Sequence, residues 1–191
     1  QVDSHIPEQK PFEKPQEREI FYSITGEEPE ENKTYLSLST VVGTDLDPML
    51  YVAFQILEYT LLGAPGAPLK QALLDAGIGK DVLGGYESGI LQPYFTVIAK
   101  DAGREQRGEF LAVVKGTLRR LADQGINKKS LMAGMNYYEF KYREADYGST
   151  PKGLMWGIQS LDSWLYDGDP MMHLEYQHTF DELKKRVEEG Y

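Results

Sequence analysis

The sequence contains no cysteine. Disulfide frameworks and thiolate metal sites are therefore excluded, and the composition suits a reducing compartment such as the cytoplasm. Long apolar runs are also missing. None approaches the roughly 20 residues that span a bilayer, so no membrane-crossing segment is expected. No basic start leads into an apolar stretch, so no signal peptide is read. The sequence opens at Gln1 rather than Met, and an export signal on a longer parent chain would not be visible in it. Basic residues are in the minority: 20 Lys and Arg against 30 Asp and Glu, a net charge of -10. Phosphate backbones repel such a surface, which argues against a nucleic-acid partner. The acidity serves solubility and can steer basic peptides over long range.

Catalytic signatures are equally sparse. There is no Gly-x-Ser-x-Gly nucleophile turn and no phosphate-binding loop. Gly77-x-Gly79 lacks a third glycine and follows a predicted helix, so a dinucleotide site is excluded. Three histidines are present. His5 begins His-Ile-Pro-Glu-Gln, where Gln9 stands in the place a second zinc-binding histidine would need. His173 and His178 are five residues apart, which misses the i, i+4 spacing of helical ligand pairs, and both read as surface or core-edge residues. Glu27, Glu28, Glu30 and Glu31 form a dense carboxylate group, but they sit solvated in a polar loop rather than in the cleft that acid–base work needs. No catalytic residue and no metal ligand is assigned, and no cofactor is expected within this chain.

The material for a fold is present. Hydrophobic residues make up 41% of 191 residues, enough for one domain with a core. Residues 1–18, broken by Pro7, Pro11 and Pro15, read as an extended arm or linker. Residues 19–191 read as a single domain. Strands are predicted over Ile20 to Ile24 and Tyr35 to Val42, joined as a hairpin by the acidic loop Gly26 to Lys33. Two more are predicted over Val82 to Glu87 and Tyr94 to Lys100.

Helices are predicted by apolar residues at helical spacing. The first runs from Pro48 to Leu62, capped by Asp47, and the next passes through Leu73 and Leu74 to Gly77. Arg104 to Gln124 follows. Asn127 caps a helix running toward Tyr147-Gly148. Another begins at Thr150-Pro151, with Leu154, Ile158, Leu161 and Leu165 expected to face inward, and the last covers Thr179 to Glu189. The class is α+β: an antiparallel sheet of about four strands covered by helices. The densest polar-aromatic cluster, residues 136–144, contains Asn136, Glu139, Arg143 and Glu144. It reads either as a peptide-facing surface or as a helix whose charges pair across an interface.

Taken together, several segments resemble the second, non-catalytic domain of the presequence proteases, zinc metallopeptidases of the insulinase and pitrilysin superfamily. They are Leu61 to Gly79, Lys33 to Ser39, Gly84-Gly85-Tyr86-Glu87 with Leu91-Gln92-Pro93, the helix carrying Asn136, Glu139, Phe140, Arg143 and Glu144, and the late series Gly153-Leu154, Trp164, Tyr166-Asp167, Asp169-Pro170. The resemblance covers roughly residues 19–190. It implies the LuxS/mitochondrial-processing-peptidase-like metallohydrolase fold and a structural role beside other domains of the same polypeptide. Zinc would sit in the full-length parent, in a first domain bearing His-x-x-Glu-His, and the substrates would be unfolded peptides admitted to a closed chamber. A domain of this kind should expose an apolar patch where it meets its neighbours, with Tyr137 to Tyr142 and Trp156 to Tyr166 as candidates. Two alternatives stay open: a free-standing acidic interaction module, and a zinc-free peptidase homologue acting as a partner subunit.

Overall fold

The computed structural model describes residues 5–190. Residues 5–33 contain neither helix nor strand, and the first strand, β1, spans Thr34–Val41. Helix α1 (Pro48–Glu58) follows and passes into a π turn, Tyr59–Gly63. Next come α2 (Pro68–Asp75), β2 (Asp81–Glu87) and β3 (Tyr94–Ala102). The remainder is helical: a short 3₁₀ turn leads into α3 (Arg107–Gln124), then α4 (Lys128–Glu144), α5 (Lys152–Trp164) and α6 (Tyr176–Glu188). Among the described residues no helix is long and apolar enough to cross a membrane.

The local chemistry explains several of these boundaries. The Asp47 carboxylate accepts from the amides of Met49 and Leu50, and Pro48 occupies a first-turn position where no N–H is required. Asn127 caps α4 through the Ser130 amide. Gly125, at a φ of 81°, ends α3 in a backbone region that side chains avoid. In β3, Phe95, Val97 and Ala99 point into the core by strict alternation. A bulge then interrupts the period: Thr34 pairs with Ala102 but Leu36 pairs with Ala99, and Asp101 takes a φ of 56°. The extra residue lets Ala102 join Ala99 on the buried side.

The sheet has the order β1-β3-β2 with both pairings antiparallel. This confirms the α+β class and corrects the expected strand number to three among the described residues. Ile20 to Ile24 is not a strand; Ile20 and Phe21 are each 84% exposed. An extended segment needs a partner ladder to satisfy its backbone, and none of the described strands pairs with this one. Local polar contacts hold the segment instead. Glu19 and Glu17 pair with Arg104 and Arg107, and the Tyr22 hydroxyl donates to the Lys33 carbonyl. Earlier in the arm, the Gln9 amide N–H donates to Gln92 Oε1 at 2.6 Å. The first four residues of the expected arm lie outside the described residues.

Two apolar cores form among the described residues. One packs the sheet residues Leu36, Val82, Phe95 and Val97 against the π turn, α2 and α3, with Phe110 and Val114 at its centre. The other joins Tyr51, Val52 and Ile56 of α1 to Met135 of α4 and to Phe180 and Leu183 of α6. Phe54 and Leu57 of α1 meet the first core, and α1 buries a second face as well. Helix α4 ends at Glu144, short of the expected Tyr147-Gly148, and α6 starts at Tyr176 rather than Thr179.

Replacing Phe110, 1% exposed at the centre of the first core, with alanine should remove about 3–5 kcal/mol of stability in urea unfolding. Phe140→Ala, at a position 63% exposed on α4, should change it by less than about 0.5 kcal/mol.

Candidate interdomain surface

Helix α5 is built inside out relative to its predicted orientation. Leu154, Ile158, Leu161 and Leu165 recur at helical spacing, yet all four are exposed, as are Trp156 and Trp164. The expectation that this stripe faces inward is thus corrected. The inward side is polar. The Tyr51 hydroxyl donates to Asp162 Oδ2 at 3.0 Å, and Gln159 Nε2 donates to the His173 carbonyl at 3.0 Å. Buried Ser163 donates to the Asp169 carbonyl at 2.6 Å. Directional bonds to α1 and to the segment before α6 therefore fix α5's rotation, and the apolar side is left to solvent.

Close approaches tighten this arrangement. Gly89 has a φ of 79°, and a Cβ there would lie 3.0 Å from Asp162 Oδ1. A Cβ on Gly168 would meet Leu46 Cδ2 at 2.7 Å. Glycine is what lets the loops around residues 89 and 168 close over α5. Between α1, α4 and α5 runs a cleft of about 230 Å³, lined by Tyr51, Gln55, Lys141, Tyr142, Ile158 and Asp162 among others.

Beneath α5 lies a buried polar layer that sequence reasoning did not find. Asp45 is 0% exposed, and His173 is only 3% exposed with its ring stacked on Tyr51 at 3.9 Å. The reading of His173 as a surface or core-edge residue is corrected: stacking and the Gln159 bond draw it under α5. The carboxylate oxygens of Asp45, the Tyr86 hydroxyl and both His173 ring nitrogens make no hydrogen bond of normal geometry. Burial raises the Asp45 pKa to about 7. The neighbouring Asp162 charge adds to the rise, and the Gly89 amide offsets it in part. Burial also raises Asp162, against the Tyr51 hydrogen bond, and lowers His173, so the histidine favours its neutral form. An isolated aspartate in a Gly-Thr-Asp-Leu-Asp loop carries no sequence signal of such burial.

The residues predicted for a surface on α4 divide. Glu139 is half-buried and pairs with Arg143 at 3.2 Å and with Lys184 of α6 at 2.8 Å. Arg143, Asn136 and Glu144 are exposed. Lys152, the first residue of α5, donates to the Glu144 carbonyl at 3.0 Å. The same helix exposes Tyr137 and Phe140, so the predicted aromatic exposure occurs on both α4 and α5.

The histidines do not form a zinc site. His5 lies in the arm near Asp167, His173 is stacked under α5, and His178 is exposed on α6. Among the described residues no three His, Cys, Asp or Glu side chains gather as metal ligands would.

Comparison with known proteins agrees with this architecture. The family model "Peptidase M16 inactive domain" matches residues 2–137. Protein HypA of Clostridium perfringens is 43% identical over 191 residues, covering 100% of this chain and 20% of that protein. Presequence protease 1, chloroplastic/mitochondrial, of Arabidopsis thaliana is 35% identical over 147 residues, covering 76% of this chain and 14% of that one. The chain thus spans a fifth or less of the length of these curated relatives. Among solved structures, an inactive peptidase domain from Bordetella parapertussis superposes with a TM-score of 0.63 at 13% identity, covering 78% of this chain and 76% of that one. The peptidase M16 inactive domain from Pseudomonas fluorescens gives 0.51 at 14% identity, covering 82% and 34%.

The buried layer makes stability depend on pH with a definite sign. The folded state holds the Asp45 proton more tightly than the unfolded chain does. Its contribution is complete below 3.8 and is lost as the pH rises to about 7. His173 acts in the opposite sense: its contribution is lost as the pH falls below 6.5. Asp45→Asn keeps the shape and removes the titration. Its stability relative to the unsubstituted chain should rise steadily between pH 3.8 and about 7, then level off. Urea midpoints across that range check this; a difference that is flat with pH would refute it.

Proposed function

The chain belongs to the peptidase M16 inactive-domain family, and from that premise we propose that it is a non-catalytic structural domain of a larger zinc metallopeptidase. In this reading it helps to wall a closed chamber in which the whole enzyme degrades unfolded peptides. The observation that carries the reading is the exposed apolar side of α5. A domain that folds around two cores of its own still turns six large apolar side chains of one helical segment outward. Isolated soluble proteins seldom carry contiguous apolar patches of more than a few hundred Å². Domains within one polypeptide cover such surfaces on each other. The length of the relatives supports the same conclusion, since this chain matches only 14–20% of them.

The proposal assigns the chemistry to residues outside this chain. Zinc would be held in the parent by a first domain bearing His-x-x-Glu-His, which this sequence lacks. Asn136, Glu139, Arg143 and Glu144 form the second candidate contact with neighbouring domains or with peptide in the chamber. Glu139 is already committed to Lys184 and Arg143 within the domain.

A fluorogenic unfolded peptide should show no chelator-sensitive turnover with the 191-residue chain alone. The full polypeptide should show it, and should lose it on treatment with a zinc chelator. Chelator-sensitive cleavage by the isolated chain would overturn the non-catalytic reading.

A further inference from the structure

We propose that the outward side of α5 is the docking site for an apolar helical surface elsewhere on the same polypeptide, and not for a second copy of this domain. The inference rests on the reading that the chain is one domain of a larger peptidase, and it identifies which surface meets the neighbour.

The chemistry of the surface defines its occupant. A shallow groove of about 520 Å³ runs along α5, lined by Gly153, Leu154, Gly157, Ile158, Leu161 and Trp164. A Cβ added to Gly153 or Gly157 would meet nothing within 4 Å, so the helix backbone itself is open to close approach. Ser160 and Pro170 complete the lining, and none of these residues carries a charge. A charged side chain lowered into the groove would lose water without gaining a partner, so the centre of the occupant must be apolar. A helix face is the apolar surface whose ridges match a groove along another helix.

Charge at one end narrows the choice further. The carboxyl end of α5 carries the negative pole of the helix, and Asp167 and Asp169 follow it directly, both exposed. A partner with a basic residue at that end of its own apolar face is complementary. A second copy would bring the same carboxylates and another net charge of -10 to the contact. Self-association is disfavoured on that count, whereas the relatives of this chain have four-fifths or more of their length outside the matched region.

The chain offers a direct probe. It has no cysteine, so Ile158→Cys creates a single thiol in the groove, and Leu161→Cys provides a second position. The maleimide labelling rate is measured on the tryptic peptide Gly153–Lys184 by mass spectrometry, relative to the rate in denaturant. The measurement is made in the 191-residue chain and in the full polypeptide. Both positions should label at least roughly tenfold more slowly in the full polypeptide, as expected for a site reached only by local opening. In the isolated chain the rate should be independent of protein concentration, with Trp156 and Trp164, its two tryptophans, readily quenched by iodide. Equal labelling in both forms, with peptidase activity intact, would overturn the docking site; the proposed function would then stand on the measured activity and the length of the relatives. Protection without any peptidase activity would uphold the docking site and overturn the function. Labelling that slows as the isolated chain is concentrated would identify a second copy as the occupant and overturn the proposal. A reading frame that stops at Tyr191 would overturn both.

Discussion

The structure depends on one helix being buried from two sides. Phe54 and Leu57 of α1 pack toward the sheet, while Tyr51, Val52 and Ile56 pack toward α4 and α6. A helix that is apolar around most of its circumference must be covered on both sides, and here it becomes the wall shared by two cores. Its far end shows how tight that arrangement is. The Thr60 hydroxyl of the π turn donates back to the Ile56 carbonyl of α1 at 2.7 Å. A Cβ on Gly134 of α4 would come within 2.8 Å of that same hydroxyl oxygen. The two helices approach closely because α4 has a glycine where any side chain would push them apart.

Tyr51 links this wall to the outer surface. Its ring packs in the second core and stacks on His173, while its hydroxyl reaches Asp162 of α5. Through that bond and the Gln159 contact, α5 is held by a few directional interactions rather than by an apolar interface. Apolar packing tolerates small rotations of a helix, but hydrogen bonds set its angle. The exposed leucines, isoleucine and tryptophans are therefore presented in a defined direction. The same layer concentrates groups whose charged forms are disfavoured by burial, so the seat of α5 responds to pH.

Much of the secondary structure could be read directly from residues. Asp47-Pro48, Asn127 and Gly125 mark helix ends because their chemistry acts within one turn. The alternation of Phe95, Val97 and Ala99 marks β3 because a strand has only two sides. The errors lie where a neighbour decides. Ile20 to Ile24 has the composition of a strand but no partner among the described strands. The stripe of Leu154, Ile158, Leu161 and Leu165 has the period of a buried helix, and period reveals that a side is apolar without revealing what it meets.

Composition and spacing by themselves determined the class of the fold, most helix ends, and the exclusion of disulfides and thiolate ligands. Those properties are local or additive: a cap acts over three residues, and a ligand that is not encoded cannot be supplied by folding. Tertiary structure alone decided that α5 faces outward, that Asp45 and His173 are buried beneath it, and that Glu139 joins α4 to α6. Each of these joins segments far apart in the chain, such as Tyr51 to Asp162 across 111 residues. The free energy of such a contact belongs to the pair and cannot be read from either residue alone.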